Sequence, residues 1–116
     1  MAASGPVFLH VELKIAPGRM AGFLETMQEV APLIGDAGWH LVGAWKVNVG
    51  TVNTLRVIWR LESADLVFAE RTALITHPGF AQFRSVIEGS VIEETLTIMT
   101  AVPYGNQQIG MNEGKE

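Results

Sequence analysis

Cysteine is absent from this chain of 116 residues, which removes disulfide frames, thiol nucleophiles and thiolate metal sites together. Charge is scarce as well. Only 17% of the residues are charged while 48% are hydrophobic, so the chain is globular rather than disordered. Lys and Arg never form a run and the net charge is −4; without a basic footprint for phosphates, no nucleic-acid partner is expected. No apolar stretch approaches the roughly 20 residues of a membrane span, and no membrane partner is expected. The opening MAASGPVFLHVELK has no basic leader region and alternates apolar with polar residues, unlike a signal peptide, so the expected compartment is the cytoplasm. The three histidines include no i, i+4 pair and no carboxylate cluster accompanies them, so no metal is expected. Gly105-Asn106 and Gly110 lie in a polar stretch rather than between a strand and a helix, and no Gly-x-Ser-x-Gly elbow occurs. No cofactor is expected.

What is present is a regular alternation of patterns. From Val7 to Ile15 the odd positions Val7, Leu9, Val11, Leu13 and Ile15 are apolar, while the even positions Phe8, His10, Glu12 and Lys14 are mostly polar; a period of two is a strand signal. Ala16-Pro17-Gly18 ends it. Met20, Phe23, Leu24, Met27, Val30 and Ile34 then form one helical stripe, which Pro32 should kink or close before the turn at Gly35-Asp36-Ala37-Gly38. Trp39 to Asn48 reads as a second strand and Thr54 to Leu61 as a third, joined by a hairpin-like turn over 49–53. Ser63 suits the N-cap of a helix reaching about His77, with Asp65 in its first turn. Pro78 restarts a shorter helix bearing Phe80, Phe83 and Ile87, which Gly89 and Ser90 should break. Val91 to Val102 is the last strand.

The order β-α-β-β-α-β predicts an α+β, ferredoxin-like sheet with its helices on one face. Residues 1–104 form the domain and 105–116 a flexible polar tail. Such a sheet has one face uncovered. Two copies placed face to face make a dimeric α/β barrel, which also accounts for the low surface charge.

Three stretches, GWHLVGAWKVNVG, NTLRVIWRLES and ITHPGFAQF, resemble the NIPSNAP family of the dimeric α/β barrel group. VELKIAPGR followed by FLETM is also similar to the antibiotic-biosynthesis monooxygenases and stress-responsive barrels of that group. The resemblance runs from about residue 7 to about residue 102 and implies the barrel fold and a homodimer. It implies no single activity, because the group holds oxygenases, isomerases, haem-degrading enzymes and polyketide cyclases. Where NIPSNAP-like chains carry a histidine before the third-strand Trp and an aromatic after it, this chain has Val57 and Leu61. Family members tend to be polar where Leu9, Val11 and Leu13 stand here. The asparagine that haem-degrading relatives present on the first strand is missing, so haem is not expected.

Periodicity places candidate chemistry. If the odd positions of the first and third strands lie under the helices, the even ones share the uncovered face: Phe8, His10, Glu12 and Lys14 beside Arg56, Ile58 and Arg60. His10 and Glu12 are candidate acid–base groups and Arg56 an anion clamp, with Phe8, Lys14, Ile58 and Arg60 as substrate contacts. The same residues also suit a polar network that merely joins two protomers. Trp59 has the opposite parity: the resemblance puts it against a ligand and periodicity puts it in the core. Trp39 and Trp45 fall on an edge strand where a bulge can exchange faces, and are assigned to neither. His77, read as a helix-end residue, suits the negative end of a dipole. The expected function is a homodimeric barrel binding a small, partly apolar organic molecule, with a cofactor-free proton transfer of isomerase, cyclase or lyase type. The alternatives are a non-catalytic binding module and a cofactor-independent monooxygenase.

Overall fold

A computed structural model describes residues 5–67 and 76–104. The elements are β1 (Val7–Ile15), α1 (Met20–Asp36), β2 (His40–Lys46), β3 (Thr54–Leu61), α2 (Pro78–Ala81), α3 (Arg84–Ser90) and β4 (Val91–Met99). The four strands form one antiparallel sheet in the order β2-β3-β1-β4, the ferredoxin-like arrangement with β1 and β3 at the centre.

The period of two decides which way each central side chain points. Every odd residue of β1 is buried, from Leu9 at 0% exposed to Leu13 at 8%. Across the register Val7 pairs with Leu61, Leu9 with Trp59, Val11 with Val57 and Leu13 with Leu55, so the apolar sets of both strands coincide. On that face pack Phe23, Val30 and Ile34 of α1, together with Val67. Residues 65–67 are helical; the rest of the helix expected up to His77 falls mostly outside the described residues, as do 105–116.

The N-terminus of α1 has no side-chain cap, but its C-terminus is built with care. Gly38 takes φ 104°, a conformation open chiefly to glycine. There its N–H donates to Gly35 O at 3.0 Å and the Trp39 N–H reaches back to Ile34 O at 3.4 Å. These two bonds, with apolar residues at both outer positions, constitute a Schellman motif.

Several boundaries differ from expectation. Pro32 does not close α1, which continues to Asp36. The carbonyl that Pro32 leaves without a donor belongs to Gln28, and both residues are exposed, so water can satisfy it while Val30 and Ile34 hold the inner face. Gly89 and Ser90 do not break the last helix: α3 includes both and passes directly into β4. β2 and β4 are shorter than their apolar runs, ending at Lys46 and Met99.

Candidate functional site

The two faces of the sheet hold different kinds of space. Between the sheet and the helices lies a cavity of about 380 Å³, within the roughly 300–1,000 Å³ in which proteins hold small ligands. Val11 and Leu13 of β1 and Val57 and Trp59 of β3 form its floor, α1 contributes Phe23, Met27, Val30 and Ile34, and Trp39 closes one side. Phe80 of α2 and Ile87 of α3 also line it. Among the described residues, Arg84, Glu88 and Glu94 are the charged members of the wall. Among the described residues the site is thus an apolar chamber whose charged groups come from α3 and β4.

Trp59 lies where periodicity places it, in the core under the helices. It is 4% exposed beneath the helices, and it also lines the chamber. Its ring meets that of Trp39 edge-on, with centroids 6.0 Å apart and planes at 67°, a favoured arrangement for two quadrupoles. The Schellman motif explains why Trp39 is there: its backbone is tied to Ile34, and both side chains reach the cavity. Trp39, Phe80 and Arg84 were not among the residues picked from the sequence. The signal for Trp39 was available in Ile34 and Trp39 flanking Gly38, the apolar pair that accompanies a glycine-terminated helix.

The other face carries the proposed acid–base group. Phe8 stands opposite Arg60, His10 opposite Ile58, Glu12 opposite Arg56 and Lys14 opposite Thr54; β4 adds Met99, Thr97, Thr95 and Glu93 beside the same β1 residues. Phe8, His10, Glu12, Ile58 and Arg60 are half-buried, and Lys14 and Arg56 are exposed. A small hollow of about 100 Å³ touches Glu12, Lys14, Thr54, Glu93 and Thr95. Sharing a face has not made these groups one cluster: among the described residues no ion pair joins Glu12 to Arg56. Arg60 pairs instead with Glu62 at 3.4 Å, an exposed contact of little energetic weight. Nor do three potential metal ligands converge among the described residues.

A bulge brings Trp45 to this face. Leu41 pairs with Trp59 but Gly43 with Ile58, so Val42 is the extra residue and the parity of β2 reverses after it. Trp45 thereby stands opposite Arg56, about half exposed at 52%, with its indole over Gly43. A Cβ on Gly43 would come within 2.5 Å of that ring.

His77 is not the C-terminal helix residue expected. It precedes α2 and caps it, its Nδ1 accepting the Gly79 N–H at 2.8 Å. The cap requires an unprotonated Nδ1 and sets the start of the segment bearing Phe80.

Solved structures share this fold. A NIPSNAP family protein of unknown function from Agrobacterium tumefaciens aligns with a TM-score of 0.77 at 18% identity, over 85% of this chain and 90% of its own. A NIPSNAP-like domain protein from Burkholderia xenovorans aligns at 0.74 and 15% identity, over 85% and 87%. A Bordetella bronchiseptica protein, proposed by its name to be an antibiotic biosynthesis monooxygenase, aligns at 0.70 and 18%, over 84% and 98%. At such identities the likeness is one of fold. None of the curated proteins matches the chain. The NIPSNAP family model matches residues 11–106, most of the chain, and the protein is accordingly a member of the NIPSNAP family.

Proposed function

We propose that this chain is a small-molecule-binding domain that holds a compact, partly apolar organic ligand between its sheet and its helices, and works as a homodimer. The cavity of about 380 Å³ walled by Phe23, Trp39, Trp59 and Phe80 carries this reading. Burying an apolar ligand against such walls is favoured by about 25 cal/mol for each Å² removed from water. The homodimer is supported by the uncovered sheet face, where Phe8, Ile58 and Met99 are only half-buried and Trp45 is half exposed. A second copy laid face to face would cover them and form the barrel. No helix among the described residues is long and apolar enough to cross a membrane.

The test is a native mass spectrum of freshly purified, untagged protein. A dimer carrying extra mass that is lost on denaturation is expected. A monomer would contradict the barrel, and a chain that takes up no apolar probe at any concentration would contradict the cavity.

A second, catalytic reading rests on the register that sets Glu12 opposite Arg56 with His10 on the same face. In a closed barrel His10 and Glu12 would move a proton while Arg56 holds an oxyanion, with Phe8, Lys14, Ile58 and Arg60 around the substrate and no cofactor. Replacing His10 or Glu12 by alanine should then abolish turnover with the dimer intact; loss of the dimer would make both structural. A monooxygenase, the activity proposed in the names of some fold neighbours, working here without a cofactor, would instead consume dioxygen in step with its substrate and depend on the cavity rather than on His10.

A further inference from the structure

We propose that the chamber takes its ligand in one orientation: an uncharged amphipathic molecule with its hydrocarbon end against Trp39 and Trp59 and a hydroxyl at Arg84, Glu88 and Glu94. The inference rests on the reading that the space between sheet and helices is a ligand site, and it adds the ligand's polar group and direction to that reading.

The chamber is polarised across the sheet. In the strand order β2-β3-β1-β4, Trp59 lies on β3 opposite Leu9, and its ring meets that of Trp39 just ahead of β2. Glu94 lies on β4 opposite Leu13. The backbones of Trp59 and Glu94 are thus two strands and four residues apart, roughly 16 Å at the usual sheet spacings. Leu13 is buried under the helices and cross-strand partners share a face, so the Glu94 side chain leaves the sheet on the chamber side. Arg84, Ile87 and Glu88 line the chamber at spacings of three and four residues, which puts them on one face of α3. That helix packs on β4 and runs directly into it, so its two charged residues belong to the same end as Glu94. Arg84 is half-buried and Glu88 and Glu94 are exposed, so this end meets solvent, whereas Trp39 and Trp59 are buried.

The mixed signs at the open end select the polar group. Arg84 and Glu94 each already engage another group, so a ligand meets their remaining hydrogen-bond capacity rather than unpaired charge. That capacity is ample: a guanidinium has five donors and a carboxylate about four lone-pair sites. An anion drawn to Arg84 would lie beside two carboxylates. An ammonium drawn to the carboxylates would meet Arg84, the least exposed of the three. Either ion would also lose water on entering a space otherwise walled by hydrocarbon. A hydroxyl carries one donor and two lone pairs, so it accepts from a guanidinium and donates to a carboxylate with no like charge beside it.

Four probes on one skeleton separate these cases: tetralin, 2-tetralol, 2-aminotetralin and tetralin-2-carboxylate. Calorimetric titration of the full chain should place 2-tetralol about tenfold above both ions, which must be desolvated to enter. An ion that binds as tightly as 2-tetralol would overturn the hydroxyl assignment. Arg84→Met removes the guanidinium donors and keeps an unbranched side chain. It should weaken 2-tetralol about fivefold, the scale of one hydrogen bond, and tetralin less than twofold. An equal loss for both probes, or none for 2-tetralol, would overturn the role of the charged end. Failure of tetralin and 2-tetralol alike to bind the wild-type chain would instead overturn the ligand site itself. Should the variant fold poorly, intermolecular NOEs on the wild-type chain read the orientation directly. The aromatic protons of bound 2-tetralol should lie near Trp39 and Trp59 and its carbinol proton near Arg84; the reverse contacts would contradict the proposal.

Discussion

The two faces of the sheet are made from the same strands, one residue apart, and differ in almost everything else. On the helix side Leu9, Ile15 and Leu61 are sealed at 0–1% exposure, and the sheet forms the floor of an apolar chamber. On the other side His10, Glu12, Arg56 and Arg60 stand on a half-wet surface with a shallow hollow. The contrast shows that a polar constellation read from alternation marks a face and nothing more. Convergence on a cavity needs elements from elsewhere in the chain, and here the helices supply them to the apolar face.

If the faces differ as described, substitutions one residue apart should differ sharply in cost. Leu9→Ala removes a fully buried side chain and should cost about 2–5 kcal/mol in urea unfolding; a loss below 1 kcal/mol would mean the core is looser than the burial of Leu9 implies. Gly38→Ala forces a Cβ into the φ 104° conformation and should cost about 1–2 kcal/mol. It should also change the near-UV circular dichroism of the Trp39–Trp59 pair, and an unchanged spectrum would separate the helix terminus from the cavity wall. Gly43→Ala puts its Cβ against the Trp45 ring, but that ring is half exposed and can swing outward. Indole fluorescence should therefore shift while stability changes by less than about 1 kcal/mol. Arg56→Ala, on the open face, should alter monomer stability by no more than about 0.5 kcal/mol. A larger loss that grows with dilution would locate Arg56 in a contact between copies.

The central strands were legible because burial on one face imposes a period of two, which β1 obeys from end to end and β3 obeys apart from buried Thr54 at its start and half-buried Val57. The edge strands were less so. β2 contains the bulge at Val42, where one extra residue reverses the parity of all that follow, and nothing in LVGAW alone shows which residue is extra. Pro32 misled for a physical reason: its cost falls on a solvated carbonyl, while two buried neighbours keep the helix intact. The acid–base group was found by parity alone, which carries no depth. The chamber is a property of how α1, α2 and α3 stand off the sheet, and a single sequence records that only indirectly, through such marks as the Gly38-Trp39 helix terminus.

The central claim is that ligand enters the helix side of the sheet. Amide chemical-shift mapping by NMR during titration with tetralin tests it most directly, because the helices that wall the chamber lie on one side of the sheet. The account predicts changes concentrated at Met27, Trp39, Phe80 and Ile87, with the open-face positions Trp45, Thr95 and Thr97 largely still. Changes centred on Trp45, Thr95 and Thr97, with the helices undisturbed, would contradict it.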